Sequence, residues 1–212
     1  MSFKLEKIDE AWEIVKTDPS KLGFRIIVGE NGNQEEAGMK VTAKKFSQFE
    51  SRWRLANSFK GIKAEGYTTS ETIKGYDAVM KNFLVFTALE RFAFLLSGEE
   101  WYEIPNLGIN EHADKAHQII LSLDPDFKFV KIVRKRLSSP DLKGRLTKLI
   151  NDDKKEVFSL SAGLRHLFAH GKIASRVPGT TSLKITEQVA ECLLCYMDDE
   201  ISRRVSLAQS NV

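Results

Sequence analysis

A chain of 212 residues, 42% hydrophobic and 29% charged, is long enough to bury a sizeable core and has the make-up of one globular domain, with room for an appendage. A net charge of +3 is too small to indicate a nucleic-acid partner, and two cysteines exclude a disulfide framework. The longest apolar run, residues 83–96, is broken by Glu90 and Arg91 and is too short to cross a bilayer; Met1-Ser2-Phe3-Lys4 opens no signal-peptide pattern. These features predict a cytoplasmic protein with no membrane partner.

Leu5, Ile8, Trp12 and Val15 recur at helical spacing, which predicts an amphipathic helix over residues 4–16, ended by Asp18-Pro19-Ser20 and Gly23. Residues 24–28 read as a short strand, residues 29–33 as a turn-rich loop, and Lys40-Val41 as the returning strand of a hairpin. The loop is not a phosphate loop, because Gly38-Met39-Lys40 lacks the Gly-Lys-Ser/Thr order. Thr42 is placed to cap a helix to about Phe59, with Phe46, Phe49, Trp53 and Ala56 as its apolar stripe. Arg52 and Arg54 flank Trp53. Basic residues around an aromatic can bind single strands, but the helical spacing puts this Trp in the core. Gly61, Gly66 and two Thr mark residues 60–69 as a linker. The chain thus divides into an N-terminal appendage (1–65), a helical bundle (66–207) and a tail (208–212).

A long helix starts at Thr69 or Ser70 and runs to about Leu96. Its C-terminal half is apolar nearly all round, as in a helix that is buried or packs on a second subunit. Glu90 and Arg91 interrupt it, and each needs a partner or a groove, because an unpaired buried charge is costly. Residues 98–110 form a loop with Trp101, Tyr102 and Pro105, and Asn110 caps the next helix. On that helix His112 and His117 are expected at or near the surface, not as metal ligands. Asp124-Pro125 ends it. A basic helix from Asp126 to Leu137 turns Phe127, Val130, Val133 and Leu137 inward. Ser139-Pro140 opens a short helix with Leu142, Leu146, Leu149 and Ile150 on its core side.

Residues 126–155 hold ten Lys or Arg against four acids, a local charge of +6. Such a surface can gather a polyanion by releasing counterions, with Lys131, Arg134, Lys135, Arg136, Arg145 and Lys148 as candidate contacts. Two solvated helix faces explain the same run equally well. A helix over residues 155–170, a loop to residue 181 and a last helix to about Ser206 complete the chain. Val189, Leu193, Tyr196 and Ile201 line the buried stripe of that last helix. Cys192 and Cys195 lie on it and read as apolar thiols. The predicted fold is mainly all-α, an up-and-down helical bundle with an appendage of helix, short hairpin and helix.

The stretch richest in chemistry is Leu164-Arg165-His166-Leu167-Phe168-Ala169-His170-Gly171. It is a helix end stopped by a glycine suited to the left-handed position after a C-terminus. His166 and His170 are four residues apart and share a face. Arg165 and His170 are separated by about 7.5 Å along the axis. The arrangement can aim a guanidinium and an imidazole at one anionic group. The competing reading is a helix end whose His lies well against the negative end of the dipole.

Arg165-His166-Leu167-Phe168-Ala169-His170 resembles the signature of the HEPN superfamily (higher eukaryotes and prokaryotes nucleotide-binding): Arg, a polar residue, three further residues, then His. The resemblance covers about residues 70–207. It implies a small all-α domain and, in many members, a metal-independent RNase of toxin, phage-defence or RNA-processing systems. On that basis Arg165, His166 and His170 are the catalytic candidates, with no metal and no cofactor. Glu90 is a candidate acidic helper able to pair with an Arg such as Arg165; a rim charge without a role is its other reading. The basic residues of 126–155 become the RNA contacts. A two-fold homodimer is implied, with both motifs facing across one cleft, as is an antitoxin or regulatory protein. The alternative is a non-catalytic HEPN-like module that binds a nucleotide or a partner protein, and a third reading is a purely structural scaffold.

Imidazole suits proton transfer because its usual pKa of about 6.5 lies near working pH. Arg suits phosphate because its fork is planar and permanently charged. His170 is therefore assigned to proton transfer and Arg165 to the phosphate, with His166 orienting one of them or donating to phosphate.

Overall fold

The computed structural model describes residues 2–25, 34–63, 69–98, 110–173 and 179–210. Among them are eight α-helices and no strand: α1 (Ser2–Thr17), α2 (Gln34–Ser58), α3 (Ser70–Ser97), α4 (Asn110–Leu123), α5 (Lys128–Arg136), α6 (Pro140–Ile150), α7 (Ser159–Ala169) and α8 (Gly179–Ser210). Short 3-10 turns at Pro19–Leu22 and Lys154–Glu156 follow α1 and α6. The all-α expectation is met.

The hairpin is not. Lys40 and Val41 lie inside α2, and Phe24 and Arg25 are in no strand; residues 26–33 fall outside the described residues. Thr42 does not cap α2 but sits within it, fully buried, its hydroxyl donating to the carbonyl of Gly38 at 3.0 Å. That backward bond is the usual way a mid-helix Thr satisfies itself. The loop read at residues 99–109 also lies outside the described residues, as do residues 174–178 and the end of the tail. Residues 208–210, read as tail, continue α8.

Local signals set several boundaries. Thr69 accepts from the Thr72 N–H at 3.3 Å to cap α3, and Ser139 caps α6 through the Leu142 N–H at 3.3 Å, with Pro140 in the first turn. The basic helix starts at Lys128, two residues later than predicted. Phe127 turns through a left-handed conformation (φ 53°), and the Asp124 carboxylate accepts from the Lys128 and Phe129 N–H groups at 2.9 and 2.7 Å. The predicted helix over 155–170 begins instead as the 3-10 turn, and α7 proper starts at Ser159.

α3 is the hub, packed against α2, α7 and α8, and α8 also runs along α1 and α4. One hydrophobic core joins them. Ile8, Val15, Phe46, Phe49 and Trp53 from the first 65 residues belong to it together with Leu89, Phe92, Leu160, Leu193 and Ile201. A buried hydrogen bond from Trp53 Nε1 to Asp198 Oδ1 at 2.6 Å ties α2 to α8. Arg204 on α8 donates to the carbonyl of Leu22 at 2.7 Å. The apolar half of α3 is buried at Val85, Phe86, Leu89, Phe92 and Leu95, while Phe83, Leu84, Phe94 and Leu96 are half-buried.

His117 departs from expectation. It is fully buried rather than at the surface, packed 6.0 Å from the Phe127 ring. Its Nε2 lies 3.3 Å from Asp152 Oδ1 without hydrogen-bond geometry. α4 lies against the turn after α6, and that contact covers the ring. His112 is partly buried as expected, with Nε2 3.1 Å from Asp199 Oδ2.

Candidate active site

α7 carries the Arg-His segment, and its sequence explains how it lies. Gly163 faces α5 and α6 so closely that a Cβ there would sit 3.2 Å from Val133 Cγ1. On the α3 side, Asn82 Nδ2 donates to the carbonyl of Ser161 at 3.1 Å, and Phe83 meets Phe168 edge-on at 5.8 Å. The helix then stops at a Gly-terminated C-cap. Gly171 adopts φ 63°, its N–H donates to Phe168 O at 3.0 Å, and the Lys172 N–H donates to Leu167 O at 2.8 Å. This pair of bonds is the Schellman arrangement, and it leaves His170 as the last residue before the turn.

The expected pairing of Glu90 with Arg165 is present. Arg165 Nη2 lies 3.1 Å from Glu90 Oε1 and donates to Oε2 at 3.3 Å, joining α7 to α3. Glu90 is mostly covered and Arg165 about one-third exposed. Arg165 Nε is buried without a hydrogen-bond partner. The side chain is thus held at one edge and unsatisfied at another.

His166 and His170 come together, ring centroids 4.5 Å apart at 57°. His166 Nε2 lies 3.2 Å from the Ser138 hydroxyl, in the connection between α5 and α6. Burial holds His166 below the usual imidazole value of 6.5, and the positive charges of His170, Lys172 and Arg165 push the same way. Near neutral pH His166 is therefore a neutral ring, able to accept a proton. The His170 side chain is exposed.

The basic residues divide. Lys131, Arg134, Lys135 and Arg136 are exposed on α5. The last three form its final turn, where cations suit the helix dipole, two residues before Ser138. Arg134 Nε donates to Thr147 Oγ1 at 2.7 Å, and Lys131 Nζ to the carbonyl of Asp126 at 2.7 Å. Arg145 is largely covered. Its Nε bonds Asp141 at 3.2 Å, and its Nη1 lies 3.8 Å from buried Glu156, which Lys148 approaches at 3.9 Å. Arg145, Lys148 and Lys155 share a recess of about 430 Å³ with Asp141, Asp153 and Glu156, three cations against three carboxylates.

Sequence reading did not anticipate Ser138, since nothing local connects it to a His 28 positions away. Nor did it place Arg52 beside the motif. Arg52 Nη1 donates to the carbonyl of Thr87 on α3 at 3.3 Å, one turn before Glu90. The available signal was the basic pair around Trp53, and Trp53 itself is in the core, as read. Among the described residues no group of three His, Cys, Asp or Glu is placed to hold a metal ion, and no helix is long and apolar enough to cross a membrane. Cys192 is buried and Cys195 half-buried, both as free thiols. No protein-family model, curated protein or solved structure matches the chain.

Proposed function

We propose that the chain is a metal-independent endoribonuclease that cleaves RNA by attack of a 2′-hydroxyl on the adjacent phosphate. The observation that carries the reading is the convergence at one helix end of Arg165, braced by Glu90, with two imidazoles in contact. The O2′–P bond forms, the P–O5′ bond breaks, one group takes the 2′-hydroxyl proton and another gives a proton to O5′. The products are a 2′,3′-cyclic phosphate and a 5′-hydroxyl. Exposed His170 carries proton transfer. Arg165 binds the phosphate and stabilises charge that builds on its oxygens. His166, neutral and next to His170, orients that ring or serves as its proton partner. The exposed cations of the last turn of α5, two residues before the Ser138 that meets His166, extend the RNA path.

The resemblance to HEPN RNases supports a two-fold homodimer with the motifs of both chains in one cleft, and a toxin, defence or RNA-processing setting with an antitoxin or regulatory protein. The second reading, a non-catalytic HEPN-like module for a nucleotide or a partner protein, draws on the same Glu90 contact, which occupies an edge of Arg165 that a phosphate would use.

Cleavage of RNA in EDTA by wild type, Arg165→Ala and His170→Ala, each folded and of equal oligomeric state, decides between them. The proposal expects cyclic phosphate ends from wild type alone, with losses on the order of 10²–10³-fold for Arg165→Ala and 10²–10⁴-fold for His170→Ala. Equal cleavage by all three, or none by wild type on varied RNAs, removes these residues as catalysts.

A further inference from the structure

We infer that Arg52, Arg91 and Arg165 together form a binding subsite for a phosphate group, with Arg52 contributed by the first third of the chain. The inference rests on the RNA reading of the α7 end and extends it to two residues outside the motif.

Three helices deliver the three guanidiniums. Thr87, Glu90 and Arg91 lie three and four positions apart on α3 and so share one face. Arg52 arrives from α2 and bonds the Thr87 carbonyl, and Arg165 arrives from α7 and bonds Glu90. Both therefore flank the face that carries Arg91. The guanidinium of Arg52 is held below its usual range, first by burial and then by the positive charge of Arg91. Glu90 opposes that effect and Arg165 adds to it. Arg91, Glu90 and Arg165 thus all lie within electrostatic reach of Arg52.

The charges do not balance. Among the described residues three guanidiniums share Glu90, leaving +2 in a partly covered site, where like charges repel more strongly than in water. The recess beside α6 shows how this protein treats cations it holds for structure, giving three carboxylates to three cations. Hydrogen bonding points the same way. The Nε atoms of Arg91 and Arg165 are both buried with no acceptor among the described residues, and buried donors are rarely left so. Guanidinium donors in excess over acceptors, with net positive charge, suit a tetrahedral oxyanion, because the fork takes two phosphate oxygens at once. A phosphodiester of RNA and the phosphates of a free nucleotide share that chemistry.

The test uses the full chain and a fluorescein-labelled, mixed-sequence 2′-O-methyl oligoribonucleotide, which cannot be cut by 2′-hydroxyl attack. Fluorescence anisotropy is read across a salt series, with ATP as a parallel probe. Arg52→Gln and Arg91→Gln should each weaken oligonucleotide binding on the order of tenfold and lower the salt slope by about 1. Arg52→Lys should retain the slope with part of the affinity. Arg54→Gln, whose guanidinium is paired with Asp9 and Glu50, should bind like wild type. Melting temperatures show whether each variant is folded, and Arg52→Lys and Arg91→Gln carry the result should Arg52→Gln melt early. Arg52-dependent binding of ATP alone keeps the phosphate subsite and assigns it to a nucleotide. Arg52-dependent oligonucleotide binding without cleavage of unmodified RNA keeps the subsite while the catalytic reading falls. Wild-type affinity and slope in both Gln variants overturn the subsite even if RNA is cut, as does failure of wild type to bind either probe.

Discussion

Two regions of this molecule are rich in cations, and they differ in what surrounds them. The recess beside α6 belongs to the most basic stretch of the sequence, yet Arg145, Lys148 and Lys155 meet Asp141, Asp153 and Glu156 there. The face of α3 that receives α2 and α7 is inconspicuous in sequence, yet among the described residues it gathers Arg52, Arg91 and Arg165 around one carboxylate, Glu90. Charge density along a chain is thus a poor guide to charge available for a ligand. What matters is how many carboxylates fold onto the same place.

The sharpest way to break this comparison is to remove one arginine from each region. Arg165→Ala should abolish most RNA cleavage with little loss of melting temperature, because it removes a charge from an overloaded site. Arg145→Ala should do the reverse. Among the described residues buried Glu156 would keep the Ser159 hydroxyl at 2.8 Å and distant Lys148, at a cost of about 1–3 kcal/mol, with cleavage nearly intact. Thermal melts and single-turnover cleavage on both variants check this, and equal loss of cleavage in the two would end the distinction.

A smaller effect concerns the helix end that presents the histidines. Gly171→Ala meets no atom within 4 Å, so any cost comes from the left-handed backbone alone. About 1 kcal/mol of stability should be lost, measurable by urea unfolding, and Gly171→Asn should recover part of it. A larger loss would mean that the turn does more than end α7.

The smallest effect is in pH. The folded state holds His166 below its usual value, so just below pH 6.5 the unfolded chain binds more protons than the folded one. Stability should then rise with pH through that window and fall as acid charges the ring. His166→Gln should flatten this part of a melting-temperature profile. An unchanged profile would show that burial and the neighbouring charges do not hold His166 down as described.

Helical periodicity was enough to place the helices and their inward faces. Val130, Val133 and Leu137 are buried, as are Leu142, Leu146 and Leu149. The caps at Thr69 and Ser139 and the stop at Gly171 were legible too, because each depends on residues within a few positions of itself. Lys40-Val41 misled, since one β-branched residue cannot outweigh a helix that continues through it. Burial of His117 was hidden, because α4 alone does not reveal that the turn after α6 closes over it.

The candidate site divides along the same line. The pairing of Glu90 with Arg165 could be foreseen because an acid in an apolar helix needs a cation. The contact of His166 with Ser138, and the meeting of Arg52 with Arg91 and Arg165, could not. Local pattern sets which face of each helix turns inward, and it does so through spacing alone. Which charged side chains then stand together depends on how α2, α3 and α7 cross. That crossing is decided by core packing among residues far apart in the chain, such as Phe49 against Phe92 and Gly163 against Val133.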